Sequence, residues 1–293
     1  MVLRWGALTV GLVLELSGTA IAVESCPQPS TPIASDRPSF TNSSTVVPSG
    51  SLQSENGANV TGRDGDTVFD ATNSRLRFGI TPCLELLVDM PDYFAGFRGV
   101  VPSGFGDLSP AIKWQISPIP GKIDLSMTFG TALPTGAVRV TGSGSQPYLQ
   151  FPWSADLGNG WSLGGMMSNL FTPDNPMNAY TDETTFMVQK TIGKNASAFL
   201  EYVGEYPLRG GNTQLLHSGA TYRLTDTQQI DFHLGFGPQP NLAGLPVRHR
   251  LFVPDRSPVS ITVLPYPPGS RFSDKRCVEL PNGAGDRPNG VPG

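Results

Sequence analysis

The chain has 293 residues, a formal net charge of -4, 15% charged residues, 34 glycines and 28 prolines. That balance offers no basic field to attract nucleic acid, and glycine and proline at this density work against long helices. A single large all-β domain fits the length, since sandwiches and barrels fill roughly 200 to 250 residues as one unit.

Arg4 stands ahead of an apolar run from Trp5 to Leu16, and Ala20-Ile21-Ala22 offers a small-x-small cleavage site. Those three parts in that order describe a secretory signal peptide, so residues 1–22 are expected to be removed on export. The run is too short for a comfortable membrane-spanning helix, and no later stretch approaches the roughly 20 apolar residues such a helix needs. Val23-Glu24-Ser25-Cys26 fits a lipoprotein cleavage box badly because of Glu24, which leaves a plain exported protein. Cys26, Cys83 and Cys277 show neither CxxC spacing nor a neighbouring histidine, so no zinc or dithiol site is indicated. In an oxidising compartment two of the three can pair, and the sequence leaves open which two.

Residues 23–50 are rich in Pro, Ser and Thr with little apolar periodicity, and are expected to form an extended arm that buries little surface. From there to Gly237 the period is two, the mark of strands with one apolar face. Ile123, Leu125, Met127 and Phe129 alternate with Asp124, Ser126 and Thr128, and Ile230, Phe232, Leu234 and Phe236 with Asp231, His233 and Gly235. Leu108, Ile112, Trp114 and Ile116 oppose Lys113 and Gln115; Leu76, Phe78 and Ile80 oppose Arg75 and Arg77. Looser segments bring the count to about eleven strands. Connections alternate in length, long at Thr61 to Asn73, Pro91 to Gly106, Thr131 to Gln146, Leu170 to Asp182 and Glu205 to Asn212. They are short at Thr81-Pro82, Ser117 to Gly121, Gly158-Asn159-Gly160, Gly193-Lys194-Asn195 and Thr225-Asp226-Thr227.

Alternating short turns and long loops are the pattern of an antiparallel up-and-down outer-membrane β-barrel. Such barrels have even strand numbers, so about twelve strands are expected, with the closing strand sought in Val247 to Val253 or Pro258 to Leu264. The barrel is thus expected over residues 51–264, with a disordered Gly/Pro-rich tail over 265–293.

Enzyme chemistry finds no foothold. His217, His233 and His249 are dispersed, and no nucleophile elbow, zinc-binding helix or phosphate loop occurs. Asp64-Gly65-Asp66 lacks the further oxygen ligands of a calcium loop and reads as an exposed turn; Gly142-Ser143-Gly144-Ser145 reads as a flexible loop. No catalytic, cofactor-binding or metal-binding residue is assigned, and no cofactor is expected. The polar face of the strands carries Arg75, Arg77, Glu85, Asp89, Lys113, Lys122, Asp124, Glu201, Asp231 and His233, which in a barrel would point into the lumen. Trp114, Trp153, Trp161, Tyr202 and Tyr222 are candidates for interfacial aromatic girdles.

The motifs along the middle of the chain resemble a family of outer-membrane β-barrel transporter-like proteins, the MetA-pathway of phenol degradation family. They are Asp36-Arg37-Pro38-Ser39-Phe40-Thr41, Val47-Pro48-Ser49-Gly50, Leu52-Gln53-Ser54-Glu55, Gly104-Phe105-Gly106-Asp107-Leu108-Ser109 and Leu133-Pro134-Thr135-Gly136. Gly160-Trp161-Ser162-Leu163-Gly164 and the run from Gln229 to Gly237 complete the set. The resemblance covers roughly Asp36 to Gly237 and stops there, where a reading-frame change or a divergent tail would explain the jump in proline density. It implies a passive outer-membrane channel or transporter for small organic compounds, including aromatic ones. Its partners would be outer-membrane lipid, the outer-membrane assembly machinery and the solutes themselves, with no nucleic acid. The alternative is a soluble periplasmic or surface β-sandwich that binds a ligand or another protein.

Overall fold

A computed structural model of the chain describes Cys26, residues 34–63, 66–97, 102–119, 123–172, 179–209 and 211–237, and the backbone of Ser260–Thr262. The expected signal peptide, Lys122, His249, Cys277, most of Asp64-Gly65-Asp66, the strand candidate Val247 to Val253 and the tail over 265–293 lie outside these residues.

Alternation of apolar and polar side chains gives strands almost throughout. In chain order they are β1 (Leu52–Arg63), β2 (Asp66–Thr81), β3 (Leu84–Asp89), β4 (Tyr93–Gly96), β5 (Gly104–Phe105), β6 (Ser109–Ile119) and β7 (Ile123–Ala132). A one-turn helix, α1 (Val138–Thr141), precedes β8 (Gln146–Gly158), β9 (Trp161–Phe171), β10 (Tyr180–Ile192), β11 (Ala196–Pro207), β12 (Thr213–Thr225), β13 (Gln228–Phe236) and β14 (Ser260–Thr262). All belong to one sheet, ordered β1-β14-β13-β12-β11-β10-β9-β8-β7-β6-β3-β2-β4-β5, with β1 also paired to β2.

The antiparallel up-and-down barrel of about twelve strands is not what forms. Apart from the side branch β4 and β5, the eleven strands from β1 to β13 alternate in direction, so β1 and β13 run the same way. They do not pair with each other. Between them lies only β14, three residues long and parallel to both, matched to Asn59–Thr61 of β1 and to His233 of β13. The sheet is therefore not closed by an antiparallel ladder, and it carries a β2-β4-β5 branch that an up-and-down barrel lacks. The physical reason is parity: two strands of the same direction need one antiparallel strand between them, and the described residues supply a short parallel one.

The long connection expected at Thr61 to Asn73 is also absent. β1 and β2 continue as a paired hairpin through Gly62↔Thr67. The period of two persists there with Val68 and Asp70 inside and Phe69 outside, its apolar signal diluted by Asp70 and Asn73. The expected tight turns do occur. Gly158, Asn159 and Gly160 all take positive φ between β8 and β9, the conformation that glycine and asparagine tolerate.

Which face is buried is the feature that positions the site. Cross-strand register aligns Leu52, Phe78, Leu86, Ile112, Phe129 and Leu149 into one row on the outer face. Most of these are exposed, Phe129 to 61%. Phe186, Tyr202, Leu216 and Phe236 form a second row across β10 to β13. The inner face reverses the usual distribution: Glu85, Lys113, Thr128, Gln150, Ser168 and Glu183 align across β3, β6, β7, β8, β9 and β10, all buried. Exposed large apolar side chains and buried charges together are the informative departure from an ordinary soluble domain.

Candidate functional site

Buried charge demands partners, and the polar strand face finds them in the segment expected to bury little surface. Residues 34–49 run through the interior: Asp36, Arg37, Thr41, Asn42, Ser44, Val46 and Val47 are all buried. The exposed-arm expectation is thereby corrected. The arm has no apolar periodicity because hydrogen bonds, rather than an apolar stripe, hold it.

Asp36, 0% exposed, is its anchor. Its carboxylate lies 3.1 Å from the Lys113 ammonium, 3.3 Å from Arg77 and 3.2 Å from Arg75. Around it, Glu85 meets Arg77 at 3.0 Å and Lys113 at 3.1 Å, Glu55 meets Arg77 at 3.3 Å, and Asp89 takes a two-pronged contact from Arg75. The three strand cations thus face four carboxylates, and Arg37 of the arm, 3.9 Å from Glu55, balances the fourth. Further along, strand side chains read the arm's backbone. Val46 N–H donates to Gln115 Oε1 at 3.0 Å and Val47 N–H to Glu85 Oε2 at 2.7 Å, while Asn42 donates to Gln150 at 3.0 Å and the Ser44 and Ser154 hydroxyls meet at 2.7 Å. Where the arm leaves the interior, a Cβ on Gly79 would fall onto the carbonyl oxygens of Pro48 and Val47, so only glycine permits that approach. Cys26 forms a disulfide with Cys83 in the β2–β3 turn, resolving the pairing.

A second cluster lies at the far side. Glu201, 0% exposed, accepts from Phe40 N–H at 2.9 Å, Thr41 N–H at 2.7 Å, the Thr41 hydroxyl at 2.7 Å and His217 Nδ1 at 2.7 Å. His217 Nε2 lies 2.6 Å from His233 Nδ1, within hydrogen-bond distance. Two of the three histidines read as dispersed, His217 and His233, are therefore neighbours. Pairing of His217 with Gly235 and of Gly219 with His233 across the β12–β13 hairpin sets both rings on the inner face.

Of the expected inward-facing residues, Arg75, Arg77, Glu85, Asp89, Lys113, Glu201 and His233 are buried; Asp124 and Asp231 are half-buried, and Lys122 is outside the described residues. The first five join in the Asp36 network, Glu201 and His233 in the histidine cluster. Asp36, Glu55, Thr41 and His217 belong to these clusters without having been expected there, and Gln115, read only as part of the polar face opposite Trp114 and Ile116, joins them. His217 also carries a usable signal, because counting back from the Thr225-Asp226-Thr227 turn places it beside Gly235. Of the girdle candidates, Trp114, Trp161 and Tyr222 are exposed, Trp153 and Tyr202 half-buried. Among the described residues no group of three or more His, Cys, Asp or Glu is placed to hold a metal ion.

No curated protein matches the chain. Among solved structures, the COG4313 outer membrane channel from Pseudomonas putida F1 is similar with a TM-score of 0.45 and 15% identity, covering 66% of this chain and 90% of that one. At that level the likeness establishes no shared function. The family model described as "Putative MetA-pathway of phenol degradation" matches residues 35–241, from the arm's anchor past the end of β13. The order of motifs, the arm from its anchor onward and the strand face all fall within that match, and the chain belongs to this family.

Proposed function

We propose that the protein is an exported outer-membrane protein of channel type. Its polar interior binds small organic solutes on their way through, and its arm over residues 34–49 fills that interior at rest. The observation that carries this reading is the inverted distribution of side chains. Aligned rows of exposed Leu, Ile and Phe cover the outer face, while Arg77, Lys113, Glu85 and Glu201 are completely enclosed. Such an outer face suits hydrocarbon, where charge is expensive and apolar side chains are not. No energy-coupling motif is seen in the sequence, so movement would be passive, with the arm's hydrogen bonds exchanged for those of a solute.

A second reading, a soluble periplasmic or surface protein that binds a ligand or another protein, is favoured by the seam between β13 and β1. Unpaired backbone groups in hydrocarbon cost several kcal/mol each, by order of magnitude, and β14 matches only three residues of β1. Cell fractionation separates the two. Recovery in the outer-membrane fraction, with heat-modifiable migration in detergent gels, supports the membrane reading; release by gentle osmotic shock supports the soluble one.

A further inference from the structure

The arm is fixed at both ends to one hairpin. At its start, Cys26 is bonded to Cys83 in the turn between β2 and β3. At its end, Gly50 N–H donates to the Gly79 carbonyl at 2.8 Å, Gly79 N–H to the Ser51 carbonyl at 3.0 Å, and the Ser49 hydroxyl to the Ile80 carbonyl at 3.2 Å. Gly79 and Ile80 close β2 just before the turn that carries Cys83. The arm is therefore not a free N-terminal tail. It is a loop that enters and leaves beside the same turn, and between those points it crosses the interior to Glu201 of β11, which receives the Phe40 and Thr41 N–H groups.

The two attachments differ in kind. The exit is continuous with β1 and re-forms whenever it opens, whereas the entry depends on one covalent bond. Everything between, from Asp36 to Val47, is held by hydrogen bonds and ion pairs. With the disulfide closed, a withdrawn arm is still a loop fixed at both ends; with it open, the same segment is a chain free at one end. In the chain-entropy picture, freeing a loop of roughly two dozen residues raises the withdrawn population by roughly two powers of ten. We propose that the Cys26–Cys83 disulfide is a redox latch on the arm, keeping the interior filled while closed and releasing the arm's leading end when a dithiol opens it. One thiolate of the dithiol attacks Cys83 Sγ, because Cys83 is half-buried while Cys26 is 2% exposed, and the Cys26 thiolate leaves. The second thiolate resolves the mixed disulfide and releases Cys83. The reductant's two protons pass to the two cysteines, and its own sulfurs end as a disulfide, so two electrons have moved. The inference rests on the reading given above in one respect, that a vacated interior lets solute through.

The test is hydrogen exchange, read by mass spectrometry, on the full-length protein in a Cys277→Ser background, oxidised and after treatment with dithiothreitol. Vesicle swelling is then measured for the same two forms. The N–H groups of Thr41, Val46 and Val47 report on the arm, since Glu201, Gln115 and Glu85 hold them; those of β9 and β10 report on the sheet. Arm exchange that rises roughly a hundredfold on reduction, with β9 and β10 unchanged and full reversal on reoxidation, is the expected result. Cys26→Ser, Cys83→Ser should match the reduced form with or without dithiothreitol. Equal arm exchange in the oxidised and reduced forms overturns the latch. So does exchange that rises equally in arm and strands, which makes the bond a staple of the whole sheet. Faster arm exchange without faster swelling supports the latch and refutes passage through the interior. Where the serine variant does not fold, the oxidised and reduced forms of the cysteine-bearing protein carry the comparison alone.

Discussion

Replacing Asp36 by Asn tests how the arm is held, because this carboxylate is the arm's one anion among Arg75, Arg77 and Lys113. At its 3.1 Å distance from the Lys113 ammonium, one pair is worth about 5 kcal/mol of Coulomb energy at an effective dielectric of about 20. Desolvation offsets much of that, and breaking a buried pair by removing one partner costs about 3–5 kcal/mol in practice. Glu55, Glu85 and Asp89 stay on the strands, so the sheet keeps three of the four carboxylates that face its cations, and the loss falls on the arm. At about 1.4 kcal/mol per tenfold, the population with a withdrawn arm rises by roughly two to three and a half powers of ten. The assay is maleimide labelling of a Ser44→Cys probe, in a Cys277→Ser background. Ser44 is 3% exposed, so labelling waits on withdrawal. The expected result is slow labelling with Asp36 present and much faster labelling in Asp36→Asn, suppressed by salt only weakly because the pairs are buried. Equal labelling rates in the two proteins, both folded, would refute the claim that Asp36 anchors the arm.

Three further outcomes are expected. Gly79→Ala drives a methyl into the Pro48 and Val47 carbonyls, and the overpacking lowers stability by about 1–3 kcal/mol, readable in thermal melts; an unchanged melting temperature would mean that the arm's exit is looser than described. Phe129→Lys, on the exposed apolar row, costs about 2–4 kcal/mol if that row sits in the middle of a bilayer and little in a soluble protein, so folding into lipid vesicles against denaturant measures where the row lies. Removing the Cys26–Cys83 disulfide, whose partners are 57 residues apart, costs about 4 kcal/mol in the chain-entropy picture; a Cys26→Ser, Cys83→Ser variant that melts with the wild type would show that the arm is fixed without it.

The strand face was legible because its signal is local. Lys113 between Ile112 and Trp114, or Glu201 between Leu200 and Tyr202, alternates with period two wherever the strand ends. The arm was not legible, because nothing local distinguishes a Ser/Thr/Pro segment that is solvated from one whose N–H groups are received by Gln115, Glu85 and Glu201. Those acceptors lie between 38 and 161 residues away. Asp36 is similarly silent in sequence, its three cations coming from β2 and β6. The seam failed for another reason: counting strands correctly shows that β1 and β13 run the same way, but not what stands between them. The His217–His233 pair is legible in the hairpin register about Thr225, which brings together two residues 16 apart in sequence.

The central claim is that the arm fills a polar interior through which small solutes move, and proteoliposome swelling tests it most directly. Vesicles carrying the wild-type protein should swell slowly in isotonic solutions of small neutral organic solutes, and vesicles carrying Asp36→Asn markedly faster. Identical swelling by the two proteins, at equal and verified insertion, would contradict the account.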